Sequence, residues 1–174
     1  MIKKILILIV VVVAAVLLFA TTRPNALHVE RTASIKAPAE KIFPLINDFH
    51  KWGSWSPYEK RDPAMVRTYS GAPQGKGAIY EWAGNSEVGS GRMEILETSP
   101  SQTTIKLDFI KPFEGHNIAL FTAKPGGDVT TMTWSMDGPT PYIGKVMGMF
   151  MNMDTMIGTD FADGLANLKS LAEK

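Results

Sequence analysis

Asp154 lies in the stretch MGMFMNMDTMIGTDF (147–161), a carboxylate among five methionines on an otherwise apolar face. At roughly 100° per residue, Ile143, Val146, Phe150, Met153, Ile157, Phe161, Leu165 and Leu168 form one helical stripe, and Asp154 projects between Phe150 and Phe161. A carboxylate in that place has three readings. Lining a cavity, it loses solvation, its pKa rises and it can serve as general acid or base. Bonded to a donor such as Arg31, His116 or a tryptophan, it closes one end of a core. Turned outward by a kink near Gly148, it is simply solvated.

Other side chains could share such a site. Arg31 sits on the inward phase of its strand and wants an anion there, either Asp154 or a ligand carboxylate or phosphate; its alternative is a rim position with the guanidinium snorkelling out. Tyr80 and Trp82 on one strand, Met93 on the next and Trp134 on the last offer apolar area, and the tyrosine and tryptophans add a polar edge to orient a ligand. Met147 and Met151, with Phe150 and Ile157, would form the helical wall. Methionine suits a wall that adapts to varied apolar ligands, ordinary core packing or a membrane-adjacent surface. Trp52 and Trp55 in KWGSWSP would gate the mouth or staple the core. The resulting set of candidate ligand-binding residues is Arg31, Tyr80, Trp82, Met93, His116, Trp134, Met147, Phe150, Met151, Asp154 and Ile157, with Asp154 the one weak catalytic candidate.

Metals and cofactors find little support. His28, His50 and His116 lack ligand spacing, and there is no cysteine. Gly84, Gly89 and Gly91 precede a strand and not a helix, so they read as turns or a bulge and not as a phosphate loop.

The elements that must position these residues follow from periodicity. From His28 the chain alternates as an inward-facing strand. Ala37-Pro38-Ala39-Glu40 then opens a short helix interrupted by Pro44, and His50 to Pro63 reads as a brief helix and loop. Six strand-like runs follow, at 64–70, 77–83, 89–97, 103–110, 116–123 and 128–136, separated by Gly, Pro, Asn and Ser turns that predict an antiparallel meander. Residues 141–173 have the period of one long C-terminal helix, with irregularity expected near Gly144, Gly148, Gly158 and Gly164. A twisted meander gripping a single helix rarely closes along its whole length, which leads us to expect a cavity between the two.

With 174 residues, 45% hydrophobic and 20% charged, the chain accommodates one domain plus an appendage. A net charge of +1, with no basic block beyond Lys3 and Lys4, gives no footprint for nucleic acid. The appendage is N-terminal: Ile5 to Ala20 contains no polar residue. As a helix that run spans about 24 Å, near the roughly 30 Å of a hydrocarbon core once Thr21, Thr22 and snorkelling lysines are counted. Its length and the sequence Leu18-Phe19-Ala20 favour an uncleaved anchor over a cleaved signal peptide. Lys3 and Lys4 place the N-terminus inside. This predicts an anchor at 1–22, a tether at 23–27 and a domain at 28–174, single-pass in a bacterial-type cytoplasmic membrane with the domain outside; secretion after cleavage is the alternative.

The stretches IKAPAEKIFPLINDFHKWGSWSP, GAIYEWAGNSEVGSGRMEI, IKLDFIKPFEGHN and TWSMDGP, with the final DFADGLANLK, resemble the START-like (SRPBCC) superfamily, particularly its polyketide cyclase/dehydrase-like branch. The resemblance implies an α+β helix-grip fold: a curved antiparallel sheet of about seven strands around a long C-terminal helix, with two short helices after the first strand. It also implies a family of lipid carriers, hydrophobic-ligand binders and aromatase/cyclases, and transfers no catalytic set. The expected function is a membrane-anchored protein that holds an apolar ligand, a lipid or a polyketide-like molecule, between sheet and helix. Alternatives are a protein-interaction module without a ligand, its partner unknown, and a cyclase or dehydratase using Asp154.

Overall fold

A computed structural model describes residues 2–174. The apolar N-terminal run is helix α1 (Ile2–Ala20), whose end is marked by the Thr21 and Thr22 hydroxyls donating to the carbonyls of Leu18 and Phe19 at 2.7 and 2.8 Å. It is long and apolar enough to cross a membrane, properties a signal sequence shares. Strand β1 (Ala26–Ile35) follows, then α2 (Ala39–Ile46), a 3-10 turn (Phe49–Ser54) and the single-turn α3 (Tyr58–Arg61). The meander is β2 (Val66–Gly71), β3 (Ala78–Ala83), β4 (Ser90–Ser99), β5 (Gln102–Lys111), β6 (Gly115–Gly126) and β7 (Val129–Pro139).

Every pairing is antiparallel, and the order β1-β7-β6-β5-β4-β3-β2 brings the first and last strands together. Two register shifts in β4, at Ser90/Gly91 and Ile95/Glu97, supply the bend that a gripping sheet needs. The ladders define two ends. Ala26 opposite Pro139 and Phe109 opposite Gly115 put the exit of α1, the end of β7 and the β5–β6 hairpin at one of them; the β2–β3, β4–β5 and β6–β7 turns lie at the other.

The C-terminal segment departs from the expected single helix. It is α4 (Tyr142–Met147), a linker over 148–152, and α5 (Met153–Ala172). Gly148 weakens helix continuation by about 1 kcal/mol relative to alanine. Asn152 starts a new helix by accepting the Thr155 amide at 3.0 Å. The apolar stripe is therefore cut: Phe161, Leu165 and Leu168 are buried on α5, while Phe150 is 74% exposed on the linker. The buried three contribute about 1.5–3 kcal/mol each.

Helix α5 packs along β1 and more lightly on β7. Two glycines make that approach possible. A Cβ at Gly158 would overlap the Arg31 guanidinium, and one at Gly164 would come within 2.7 Å of the Trp134 ring and 3.3 Å of Pro57.

Candidate functional site

The concave face divides into two halves of different character. Beneath α5, Trp134 stacks on Phe161 with centroids 4.0 Å apart and planes 9° from parallel, and on Phe121 at 4.8 Å. Trp55 meets Trp134 and Phe121 edge-on, and Trp52 lies 4.7 Å from Trp55. All five rings are buried. Trp52 and Trp55 anchor this stack by donating their indole N–H groups to the carbonyls of Ile46 and Leu45 at 2.9 Å. They staple the short helices to the core. The space expected to be a cavity in the middle of the grip is filled by aromatic rings.

Across β3, β4 and β5 the same face is less covered. One inward row runs Tyr69, Tyr80, Met93, Leu107 and Asn117, and the next runs Arg67, Trp82, Gly91, Phe109 and Gly115. Tyr80 and Met93 are buried, whereas Trp82, Leu107 and Phe109 are half-buried, as is Ile157 on α5. Trp82 lies over Gly91, a position where a Cβ would strike its ring, and meets Phe109 edge-on at 6.0 Å; its indole donates to the Val88 carbonyl at 3.0 Å. Here apolar side chains remain within reach of a ligand.

Arg31 and Asp154 find each other. The guanidinium donates to both carboxylate oxygens at 3.1 and 3.0 Å, to the Asp154 carbonyl at 2.9 Å and to the Glu30 carbonyl at 2.6 Å. This clamp ties the first turn of α5 to β1, with the carboxylate more than half exposed. The hydrogen bonds from Arg31 push the Asp154 pKa down, the reverse of the rise that a dry cavity would give, and push Arg31 up. An ionised carboxylate already saturated by a guanidinium makes a poor general acid.

Two carboxylates that the sequence reading missed, Glu59 and Asp160, have largely buried side chains paired with arginines. Glu59 on α3 accepts from Arg67 Nε at 2.6 Å and from the Tyr80 hydroxyl at 2.5 Å. Asp160 on α5 accepts from Arg61, beside Tyr58. Burial, reinforced by Glu59, raises the Tyr80 pKa; burial, reinforced by Asp160, raises that of Tyr58. Both phenols therefore stay protonated. Each carboxylate has its own arginine and phenol, an arrangement that locks α3 to the sheet and to α5.

Residues 26–173, nearly the whole of the chain beyond α1, match the family described as Polyketide cyclase / dehydrase and lipid transport. The chain belongs to this family. No curated protein matches the sequence. Among solved structures, a protein from Thermobifida fusca is 20% identical with a TM-score of 0.62, covering 82% of this chain and 90% of its own. The di-domain ARO/CYC StfQ of the steffimycin biosynthetic pathway is 10% identical with a TM-score of 0.63, covering 86% of this chain, which spans 51% of StfQ. The Aha1 dimer protein from Colwellia psychrerythraea is 14% identical with a TM-score of 0.59, covering 84% of this chain and 96% of its own. At these identities the likeness is one of fold, the helix grip.

On this polyketide cyclase/dehydrase-family scaffold the eleven candidate residues fall into separate places. Tyr80, Trp82, Met93, Trp134 and Arg31 all lie on the inner face, but Trp134 is sealed in the aromatic stack and Tyr80 is committed to Glu59. Ile157 is half-buried against the core from α5, the helix that lies along β1 and β7. His116 does not join them. Its register opposite Asp108, in line with Arg92 and Glu81, puts it on the outer face, where Asp108 accepts at 2.8 Å and holds its pKa up. Met147 ends α4, and Phe150 and Met151 sit on the linker, because the helix they were assigned to is broken there. Leu107 and Phe109 were overlooked, though their alternation with Lys106, Asp108 and Ile110 marks them as one face of a strand. Asp160 carried a signal too: it stands three residues after Ile157 and four before Gly164, on the flank of the buried stripe.

Proposed function

We propose that the domain holds an apolar small molecule or lipid on the open half of its concave face, with α1 anchoring it to a cytoplasmic membrane and the domain lying outside the cytoplasm. The observation that carries the reading is the half-exposure of Trp82, Leu107 and Phe109 in adjacent inward rows. The family's own description, which includes lipid transport, agrees with it. Ligands of this kind are recognised by apolar area with few polar groups to orient them. Asn117, buried at the end of the Leu107 row, is the nearest such group along the ladder.

The full chain, purified gently in detergent from its own host and subjected to native mass spectrometry and organic extraction, tests this reading. The expected result is a reproducible apolar mass at one per chain, weakened by Leu107→Gln or Phe109→Ser in protein that keeps its circular dichroism. A chain that carries nothing and leaves the neutral probe N-phenyl-1-naphthylamine dark would sink the carrier. It would move the reading to a protein-interaction module, which the ring-filled centre of the grip favours.

A further inference from the structure

Large apolar side chains exposed on the folded domain gather at one end of the sheet. Val66 is 65% exposed, Ile110 58% and Phe113 47%. By strand register all three lie at the end where α1 departs. Tyr142, Phe150 and Met151, exposed by 47%, 74% and 45%, belong to α4 and the linker that continue from β7 at that same end. The turns at the opposite end read Ala-Pro-Gln-Gly-Lys-Gly, Pro-Ser and Gly-Asp. Tyr69 and Met156 are exposed elsewhere, at 37% and 43%, but the most exposed apolar side chains of the domain concentrate at this pole, as they do on a contact surface.

The position of α1 indicates what that surface contacts. The Tyr142 hydroxyl donates to the Leu17 carbonyl at 2.7 Å, one turn inside the end of α1. The Thr140 amide donates to the Asn25 carbonyl at 2.8 Å, and Lys145 bonds the Asn25 side chain. With α1 in a bilayer, Tyr142 is held at the depth of the helix end, the interfacial level where an aromatic ring with a polar tip is most stable. The linker that follows bows around an open hollow of about 360 Å³ lined by Gly148 to Met153.

We propose that α4, the 148–153 linker and the β5–β6 hairpin form a second membrane contact, with Phe150, Met151 and Phe113 entering the interfacial layer of the bilayer that α1 enters. This rests on the reading of α1 as an anchor. The domain then stands on the membrane at its apolar pole, and the row Trp82–Gly91–Phe109 is the inward row closest to that pole. Apolar molecules would pass between bilayer and site without crossing much water.

The absence of cysteine makes the test direct. Single-cysteine variants Phe150→Cys, Met151→Cys, Phe113→Cys, Ser101→Cys at the far pole and Leu8→Cys inside α1 are labelled with an NBD fluorophore. The full chain is reconstituted into phosphatidylcholine/phosphatidylglycerol vesicles. Nitroxides high on the acyl chain should quench positions 150, 151 and 113 several-fold more than position 101. If those positions behave like 101 while position 8 is quenched by a deep nitroxide, the docking surface is wrong and the anchor stands. If position 8 is also unquenched, the anchor reading fails and the docking surface falls with it. A blue shift at 150 and 113 without lipid quenching, growing with protein-to-lipid ratio, would mean that a second copy covers the surface, and would overturn the proposal.

Discussion

The two halves of the concave face are built from the same kinds of residue and differ in what covers them. Under α5, the rings of Trp134, Phe121, Trp55 and Phe161 touch one another on all sides, and glycines on the helix let it come close enough to seal them. Across β3 to β5, Trp82 and Phe109 make an edge contact and keep part of their surface outside. Aromatic content therefore does not locate a binding site in this fold. Coverage is what separates the two halves, and it is set by where α5 lies, along β1 and β7.

The sharpest way to break the contrast is to open the sealed half. Trp134→Ala should cost about 3–5 kcal/mol, the range for removing a large buried ring, read as a fall in urea midpoint at unchanged m-value. Among the described residues the Trp134 Nε1 is buried without a partner, so Trp134→Phe removes an unpaired donor along with part of the ring and should retain most of the stability. A loss as large as that of alanine would show that Nε1 is in fact bonded. Gly164→Ala attacks the same seal from the helix side, and overpacking against the Trp134 ring should destabilise by about 1–3 kcal/mol despite the better helix propensity of alanine. A stabilised Gly164→Ala would mean that the helix stands further off than described.

In the open half the same class of change should scarcely touch stability. Leu107→Ala removes a half-buried side chain, and about 1 kcal/mol or less is expected. Its effect should appear in retention of an apolar probe. If Leu107→Ala unfolds the domain as Trp134→Ala does, the two halves are equivalent and the distinction between them disappears.

How far the sequence carries this contrast depends on the range of the interaction involved. Strand alternation is local, and the meander was readable from 64 to 136 because turn residues punctuate it at every junction. The pairing of Arg31 with Asp154 was readable as one option among several, since an inward arginine and an apolar-face carboxylate each lack a partner nearby in sequence. The break before α5 was legible only as irregularity at any of four glycines, because helix-forming methionines flank Gly148; the capping geometry of Asn152 fixes where the new helix starts. Glu59 and Asp160 were hidden for a different reason. Their partners Arg61, Arg67, Tyr58 and Tyr80 come from a turn-rich segment and the sheet, and no spacing rule joins a four-residue helix to the middle of α5.

The smallest effect concerns the clamp that ties α5 to β1, at the edge of the sealed half. Arg31 holds the Asp154 pKa below the ordinary carboxylate value of 3.8, so the folded state binds that proton less readily than the unfolded chain does. Its contribution is fully present above the unfolded value and is lost as pH falls through the depressed folded one. Solvent reaches the pair, so the contribution is modest and screened by salt. Asp154→Asn should therefore flatten the acid limb of the melting temperature against pH below about pH 4 and leave the neutral region nearly unchanged. The difference should shrink further in high salt. Because Arg31 also donates to the Asp154 main-chain carbonyl, this variant keeps one of its anchors on α5, whereas Arg31→Met loses all of them and should loosen the first turn of the helix at every pH. If the two variants gave the same pH profile, the carboxylate would be the whole of the clamp. A larger, pH-independent loss for Arg31→Met would assign the positioning of α5, and with it the cover over the sealed half, to the main-chain bond.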